Sequence, residues 1–324
     1  MSEVVPGNEA DPKVFAQVFE GLIKRLDALD VATERITLVF DRGVNSTDNF
    51  DQVIGLIHVV AALDRQQARR LLARPLTEFR PVGRDGEGKE ILGFSTHWEG
   101  FGRIWRVLVT YRAATAFHQQ VRCERTRDRV LERVARWRAG PGGRREQAVV
   151  AKLVELIPRD YRTTFDFGVE TREGSFWPRC VVSAEAEERL RLSWGKTAII
   201  TDLTPRDLSD EELVRGWVGR AQIEEEFRWL KDRYVMSVKP VWVWNDEATP
   251  GHVFLCVMGL MLLWFLQWEA RDLKLSIPVM LEAMSEVRGA IAKEGGRTRI
   301  AMEPLEGTAK KLAHRWKFKE MLTA

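Results

Sequence analysis

The chain has little cysteine. Three residues in 324, Cys123, Cys180 and Cys256, lie far apart and show none of the paired spacings of a thiolate metal site. This excludes a disulfide scaffold and a zinc ribbon, and it suits reduced thiols in a cytoplasmic protein. The opening residues do not have the pattern of a secretory leader. An apolar run of bilayer length is also missing. Val253 to Leu266 is an apolar run of 14 residues, against about 20 for a membrane span, so it is expected to be a fully buried core helix and no membrane partner is expected. Internal repeats and low-complexity tracts are absent as well. The net charge is only +3, which argues against a protein that works by bulk charge alone.

The composition that remains is that of a globular protein, with 45% apolar and 30% charged residues. Its charge is unevenly placed. Twelve arginines and three acids (Glu124, Asp128, Glu132) fall between Arg103 and Arg145. Twelve tryptophans are many, and several lie close to basic residues. Cations interleaved with aromatic rings suit a nucleic-acid surface, and they equally suit Arg-rich helices anchored by packed tryptophans.

One stretch organises the rest, Ser209 to Tyr234. Ser209 followed by Glu212 is a capping box, and Asp210 and Glu211 place negative charge where a helix start favours it. At 100° per residue, Trp217, Arg220, Glu224 and Lys231 fall within an arc of about 60°. Ile223, Phe227, Leu230 and Tyr234 form a neighbouring apolar stripe, expected to be the buried edge. The polar face is open to two readings. One is a solvated face with ordinary i, i+4 ion pairs. The other is a metal-binding carboxylate flanked by cations that hold phosphates.

Earlier in the chain, Arg35 to Phe40 is a short apolar run in an alternating helix and strand context, expected to be a buried parallel strand. Asp41-Arg42-Gly43 closes it. Ligands of open α/β sheets bind beyond the carboxyl ends of strands, so Asp41 is a candidate ligand, although Asp-x-Gly is also a common turn. Helices are expected from Pro12, from about Ser46, over Thr115 to Ala139 and over Glu146 to Ile157. Further helices are expected over His252 to Asp272 and Pro278 to Glu294. Strands are expected at His58 to Ala62, Arg103 to Tyr111, Tyr161 to Val169, Phe176 to Ser183 and Gly195 to Asp202. Pro81 to Glu90 reads as a Gly-rich turn region, and Gly295-Gly296 as a break after the last helix. Isolated His58 and His97 are assigned no role.

Aromatic-x2-Arg-x3-Glu-x6-Lys resembles the signature helix of DDE transposases of insertion sequences. It stands here as Trp217, Arg220, Glu224 and Lys231, with Trp where the family usually has Tyr. The phrases F-D-R-G-x-x-S at Phe40 to Ser46, T-A-I-I-T-D-L before the helix and G-H-V-F-L-C-V-M-G-L after it are similar to the same family. The resemblance runs from about Val4 to about residue 290. It implies an α/β, RNase H-like catalytic core with a β-containing insertion and C-terminal helices. The implied layout is 1–74 as the first part of the core, 75–194 as the insertion, 195–294 as the second part and 295–324 as a basic tail. The separation of Asp41 from Glu224 (224 − 41 = 183 residues) leaves room for the insertion.

The same resemblance implies cleavage and transfer of DNA strands, with Mg²⁺ or Mn²⁺ held by carboxylates that include Asp41 and Glu224. Arg220 and Lys231 would hold phosphates and Trp217 would pack beside the DNA backbone. Trp194 lies at about the position of a base-stacking Trp in hairpin-forming relatives, with a core or turn Trp as the alternative reading. Transposon ends and target DNA are the implied partners, with a homodimer in a synaptic complex. The family's first carboxylate sits on a strand before the second. None of Asp11, Asp27 and Asp30 lies on such a strand, so the chain is expected to be truncated at its start and catalytically silent alone. Two other readings stay open: a non-catalytic remnant that binds DNA or a full-length transposase, and a nuclease on the same fold.

Overall fold

The computed structural model describes residues 11–140, 142–232, 235–236, 245, 247–294 and 297–318. Pro141, Tyr234, Gly295, Gly296, Lys319 and the expected turn over 7–10 therefore lie outside the described residues. The chain divides into two compact units, 9–220 and a second formed chiefly by 221–324.

The first unit begins with α1 (Asp11–Ala28), β1 (Thr37–Phe40), α2 (Thr47–Val53), β2 (His58–Ala62) and the short α3 (Arg69–Leu72). Then come β3 (Arg80–Arg84), β4 (Glu90–Gly100), β5 (Arg103–Tyr111), α4 (Ala113–Arg138), α5 (Glu146–Leu156), β6 (Phe165–Arg172) and β7 (Ser175–Val182). It closes with α6 (Ala184–Arg191), β8 (Lys196–Thr201) and α7 (Asp210–Lys231), whose last turns belong to the second unit. Six strands form one mixed sheet in the order β1-β2-β8-β5-β4-β3. The β1/β2 pair is parallel and all other neighbours are antiparallel. This α/β arrangement is consistent with an RNase H-like core.

Both faces of the sheet are covered, which is why its strands read as apolar runs rather than alternating ones. Val59, Ala61, Val107, Val109, Ala198 and Ile200 face one core, with Phe19 from α1 and Phe50 from α2. The intervening Val60, Leu108 and Ile199 face the other, closed by Leu213 and Val214 of α7. Successive side chains of a strand point to opposite faces, so one apolar run serves two cores. A smaller core joins α4 and α5 to the β6–β7 hairpin through Val130, Val134, Val149, Leu153, Ile157 and Phe165.

Several expectations change at this level. The expected turn over Pro81 to Glu90 narrows to residues 85–89 between β3 and β4, because Asp85 accepts hydrogen bonds from the Glu87 and Lys89 amides and folds the Gly-rich stretch into a hairpin. With β5 these two strands belong to the main sheet, so three strands from the 75–194 segment complete the core. The strand expected from Tyr161 starts only at Phe165. Pro158 opens a 3₁₀ turn over Arg159–Thr164, and the Thr164 hydroxyl donates to the Tyr161 carbonyl.

The second unit holds α8 (Thr249–Glu269), α9 (Ile277–Ser285), β9 (Gly289–Glu294), β10 (Arg297–Met302) and α10 (Gly307–Arg315). Pro278 to Glu294 is thus a helix followed by a strand. Glu294 pairs with Arg297 in the antiparallel β9/β10 ladder, so Gly289–Glu294 is extended where a helix was expected. The expectation of a fully buried α8 also fails. The helix buries Cys256, Leu260 and Leu263, whereas Phe254, Leu255, Met258, Met261, Leu262, Phe265 and Trp268 are exposed. Among the described residues, Trp229 of α7, α9 and α10 pack on one side of a helix that is apolar all round. By length and composition α8 could cross a membrane, a property that the core helices of soluble proteins share.

Gly195 turns the chain into β8 with φ +71°, and a Cβ there would lie 2.7 Å from the Arg112 carbonyl oxygen. Only glycine combines that backbone with that approach. Gly195→Ala is expected to lower stability by about 1–3 kcal/mol, read from a urea melt, and a melt unchanged within error would show that the turn relaxes freely.

Candidate active site

Asp41 follows the last residue of β1, at the end of the sheet where β2 also finishes. The chain turns there in a 3₁₀ helix, Arg42–Val44, that Asp41 caps by accepting the Arg42 amide at 2.8 Å. Asn45 donates to the Ala62 carbonyl at 2.8 Å and ties this turn to the end of β2. Asp64 lies two residues beyond β2 and pairs with Arg42 at 3.8 Å. Sequence reading did not single out Asp64; its position just past a buried strand was the available signal.

The signature helix reaches this place from the far end of the sheet. The capping box forms as expected: Ser209 Oγ accepts the Glu212 amide at 3.2 Å, and Glu212 Oε2 accepts from the Ser209 amide and hydroxyl at 2.9 and 2.6 Å. Those bonds hold the Glu212 carboxyl below its usual range. The cap is thus present above the ordinary carboxylate range and is lost as pH falls through the lowered value. One residue further, Asp210 accepts from the buried Arg106 of β5 at 2.6 Å. Arg106 also donates to the Leu208 carbonyl at 2.5 Å. Strand and helix start are therefore fastened together.

From that fastening α7 runs across the sheet. Leu213, Val214, Trp217 and Val218 meet the core, and Arg220 ends 3.0 Å from Asp41 Oδ1. The Arg220 guanidinium also lies over the Trp217 ring, 4.4 Å from its centroid. Three residues expected at the site, Asp41, Trp217 and Arg220, therefore meet. Trp217 is half-buried between the sheet and Arg220, so its ring orients the guanidinium.

Glu224 and Lys231 lie on the same helix and belong to the second unit, and both are exposed. The buried edge of that part of α7 is Trp229 with Leu230, whereas Ile223 and Phe227 are 46% and 55% exposed. The expected apolar stripe is thus corrected. Spacing alone did not say which of two overlapping apolar arcs finds a partner.

Trp194 is buried, with the Arg191 guanidinium 5.8 Å from its ring centroid. It lines a pocket of about 390 Å³ with Phe117, Gln120 and Lys196. It precedes β8 at the sheet end that Asp41 occupies, because β8 begins where the antiparallel β2 finishes. His58 is a satisfied histidine. Its Nδ1 lies 2.7 Å from Asp202, at the opposite end of the sheet.

A hard carboxylate oxygen such as that of Asp41 is the donor type that Mg²⁺ or Mn²⁺ takes. Among the described residues, however, no three candidate ligands gather, and Asp41 Oδ1 already accepts from Arg220 and the Arg42 amide. The described geometry does not make a complete metal site.

Removing Arg106 would leave Asp210 with only the Ser95 hydroxyl as a donor and would take the side-chain donor from the Leu208 carbonyl. Arg106→Ala is expected to destabilise the fold by about 3–5 kcal/mol, measured by urea denaturation. A loss below about 1 kcal/mol, the range of exposed pairs, would show that the fastening is ornamental.

The family model described as the transposase DDE domain matches residues 2–237. No curated protein and no solved structure matches the chain.

Proposed function

Because the chain belongs to the transposase DDE-domain family, we propose that it carries the strand-cleaving and strand-joining centre of an insertion-sequence transposase, with Asp41 and Glu224 as two of its metal-binding carboxylates. The observation that carries this reading is the contact of Arg220 with Asp41, since it puts the signature helix against the end of β1. DNA is the substrate that the family implies, and its members are generally dependent on divalent metal. Transposon ends and target DNA, a homodimer in a synaptic complex and a cytoplasmic location complete the reading.

The residues divide the work by chemistry. Arg220 has a planar fork of donors suited to phosphate as well as to carboxylate. In the DNA complex it exchanges Asp41 for a phosphate oxygen, and Trp217 keeps its plane aligned. Lys231 adds a point charge near the backbone. Trp194 lends a ring at the same end of the sheet for an unstacked base. Mg²⁺ or Mn²⁺, when bound, would activate a water or a 3′-hydroxyl and stabilise the leaving oxygen.

Lys231→Ala should flatten the dependence of log K on log salt by about one unit, because each phosphate contact contributes about −0.9. An unchanged slope with the fold intact would remove Lys231 from the DNA surface.

A second outcome concerns the carboxylates. With Asp41 and Glu224 but no third ligand gathered among the described residues, the chain alone is expected to bind Mn²⁺ weakly and to leave a labelled end duplex uncut. The metal arm is read by electron paramagnetic resonance of free Mn²⁺, with Asp41→Asn and Glu224→Gln each weakening binding further. Nicking that depends on Glu224 would overturn the proposed silence and would mean that another carboxylate, Asp11 or Asp64, completes the set. Binding of end DNA without any chemistry would instead favour a non-catalytic DNA-binding protein.

A further inference from the structure

We propose that one face of α4 is a second DNA-backbone contact, separate from the Asp41 site, built from Arg122, Arg125, Arg129, Arg133 and Arg136. The proposal rests on reading the chain as a protein that acts on DNA. It adds a surface which that reading does not require.

Four observations point there. The five arginines follow one another at spacings of three and four residues, so on a helix they form a single stripe within about 80°. All five are exposed. The stripe runs from Arg122 to Arg136, about 21 Å at 1.5 Å per residue. That is the axial length of about six nucleotides of one strand at about 3.4 Å each. Finally, the charge has not been neutralised within the protein. Among the described residues Arg136 pairs with Glu132, while no carboxylate forms an ion pair with Arg122, Arg125, Arg129 or Arg133. The i, i+4 neighbours of Arg129 that would relieve it are themselves Arg125 and Arg133.

The rest of the helix explains why this face is not simply a consequence of an Arg-rich segment. The remaining arginines serve the fold: Arg127 pairs with Asp128 and Glu187, and Arg138 with Glu170. Cys123, Val130 and Val134 turn into the smaller core. The acids Glu124, Asp128 and Glu132 form the adjoining row, and among the described residues only Glu132 pairs with a member of the stripe, Arg136. Like charges in consecutive turns repel, so a face that keeps five of them in line is suited to an external polyanion. The stripe carries no large apolar side chain, which separates it from helices that enter a membrane surface. It also offers no Asn or Gln fork for adenine edges. The proposed contact is with phosphates and independent of base sequence; Arg forks can also read guanine edges, which a preference among unrelated duplexes would reveal. A straight row of guanidinium groups, each able to bridge two phosphate oxygens, matches a regular duplex backbone better than a folded acidic protein.

The test uses the full chain in EDTA, so that strand chemistry plays no part, and measures binding to labelled duplexes of unrelated sequence across a salt series. Arg125→Gln/Arg129→Gln/Arg133→Gln is compared with the parent and with Lys231→Ala. The triple variant is expected to lower the salt slope by about 2.7, three contacts at about 0.9 each, by the same amount on every sequence and without a lower melting temperature. A slope that stays within about half a unit of the parent, while Lys231→Ala still changes it, overturns the stripe and leaves the transposase reading standing. Failure of the parent to bind duplex DNA removes both. A loss confined to one sequence, or binding transferred to vesicles of anionic lipid, also overturns the proposal.

Discussion

The buried guanidinium of Arg106 decides where everything else can lie. It sits in the interior strand β5 and donates to Asp210 and to the Leu208 carbonyl at the start of α7. A charge in that position is costly unless paired, so the start of the helix has one place to be. Leu213, Val214 and Trp217 then choose the face of the sheet, and the rise of about 1.5 Å per residue carries Arg220 roughly 15 Å from that fastening. That reach brings Arg220 to the far end of the sheet, where β1 ends in Asp41. The site is thus specified by an ion pair at the opposite end of the strands, among residues that take no part in chemistry.

Much of this was legible in the sequence, and for identifiable reasons. The strands β1, β2, β5 and β8 declared themselves as short apolar runs because both faces of the sheet are covered. The capping box at Ser209 and Glu212 is a local device, and local devices survive any tertiary context. Asp41 was legible for a similar reason, as an acid that closes an apolar strand. The pairing of Arg220 with Asp41 is long-range and could be expected only through the resemblance.

Two of the failures share one cause: burial depends on partners that a single segment does not contain. The stripe of Ile223 and Phe227 and the apolar length of α8 have the composition of buried surfaces, yet α7 packs through Leu213, Val214 and Trp229, and α8 through Cys256, Leu260 and Leu263. The β3–β4 hairpin was hidden by Gly83, Gly86 and Gly88. In sequence these read as a loop, but in the fold Asp85 gathers the amides of the turn. The strand after α9 was hidden by its helix-compatible residues, and only the pairing of Glu294 with Arg297 gives it away.

The order of strands in the sheet has a consequence for how the protein comes to exist. β8 stands between β2 and β5, pairing Ala62 with Ile199 and Val109 with Ala198. Neither of those strands has its inner neighbour until β8 is made. During synthesis β2 leaves the ribosome with one hydrogen-bonding edge open, and it keeps that edge until the chain has grown by more than a hundred residues. At about 5–20 residues per second this wait is on the order of ten seconds, long compared with the microseconds to seconds in which small domains collapse and fold. The β3–β4–β5 meander can form on its own in that interval, but it too presents an unpaired edge on β5. Until the central strand arrives the nascent chain therefore carries two open strand edges, each a template for unwanted pairing.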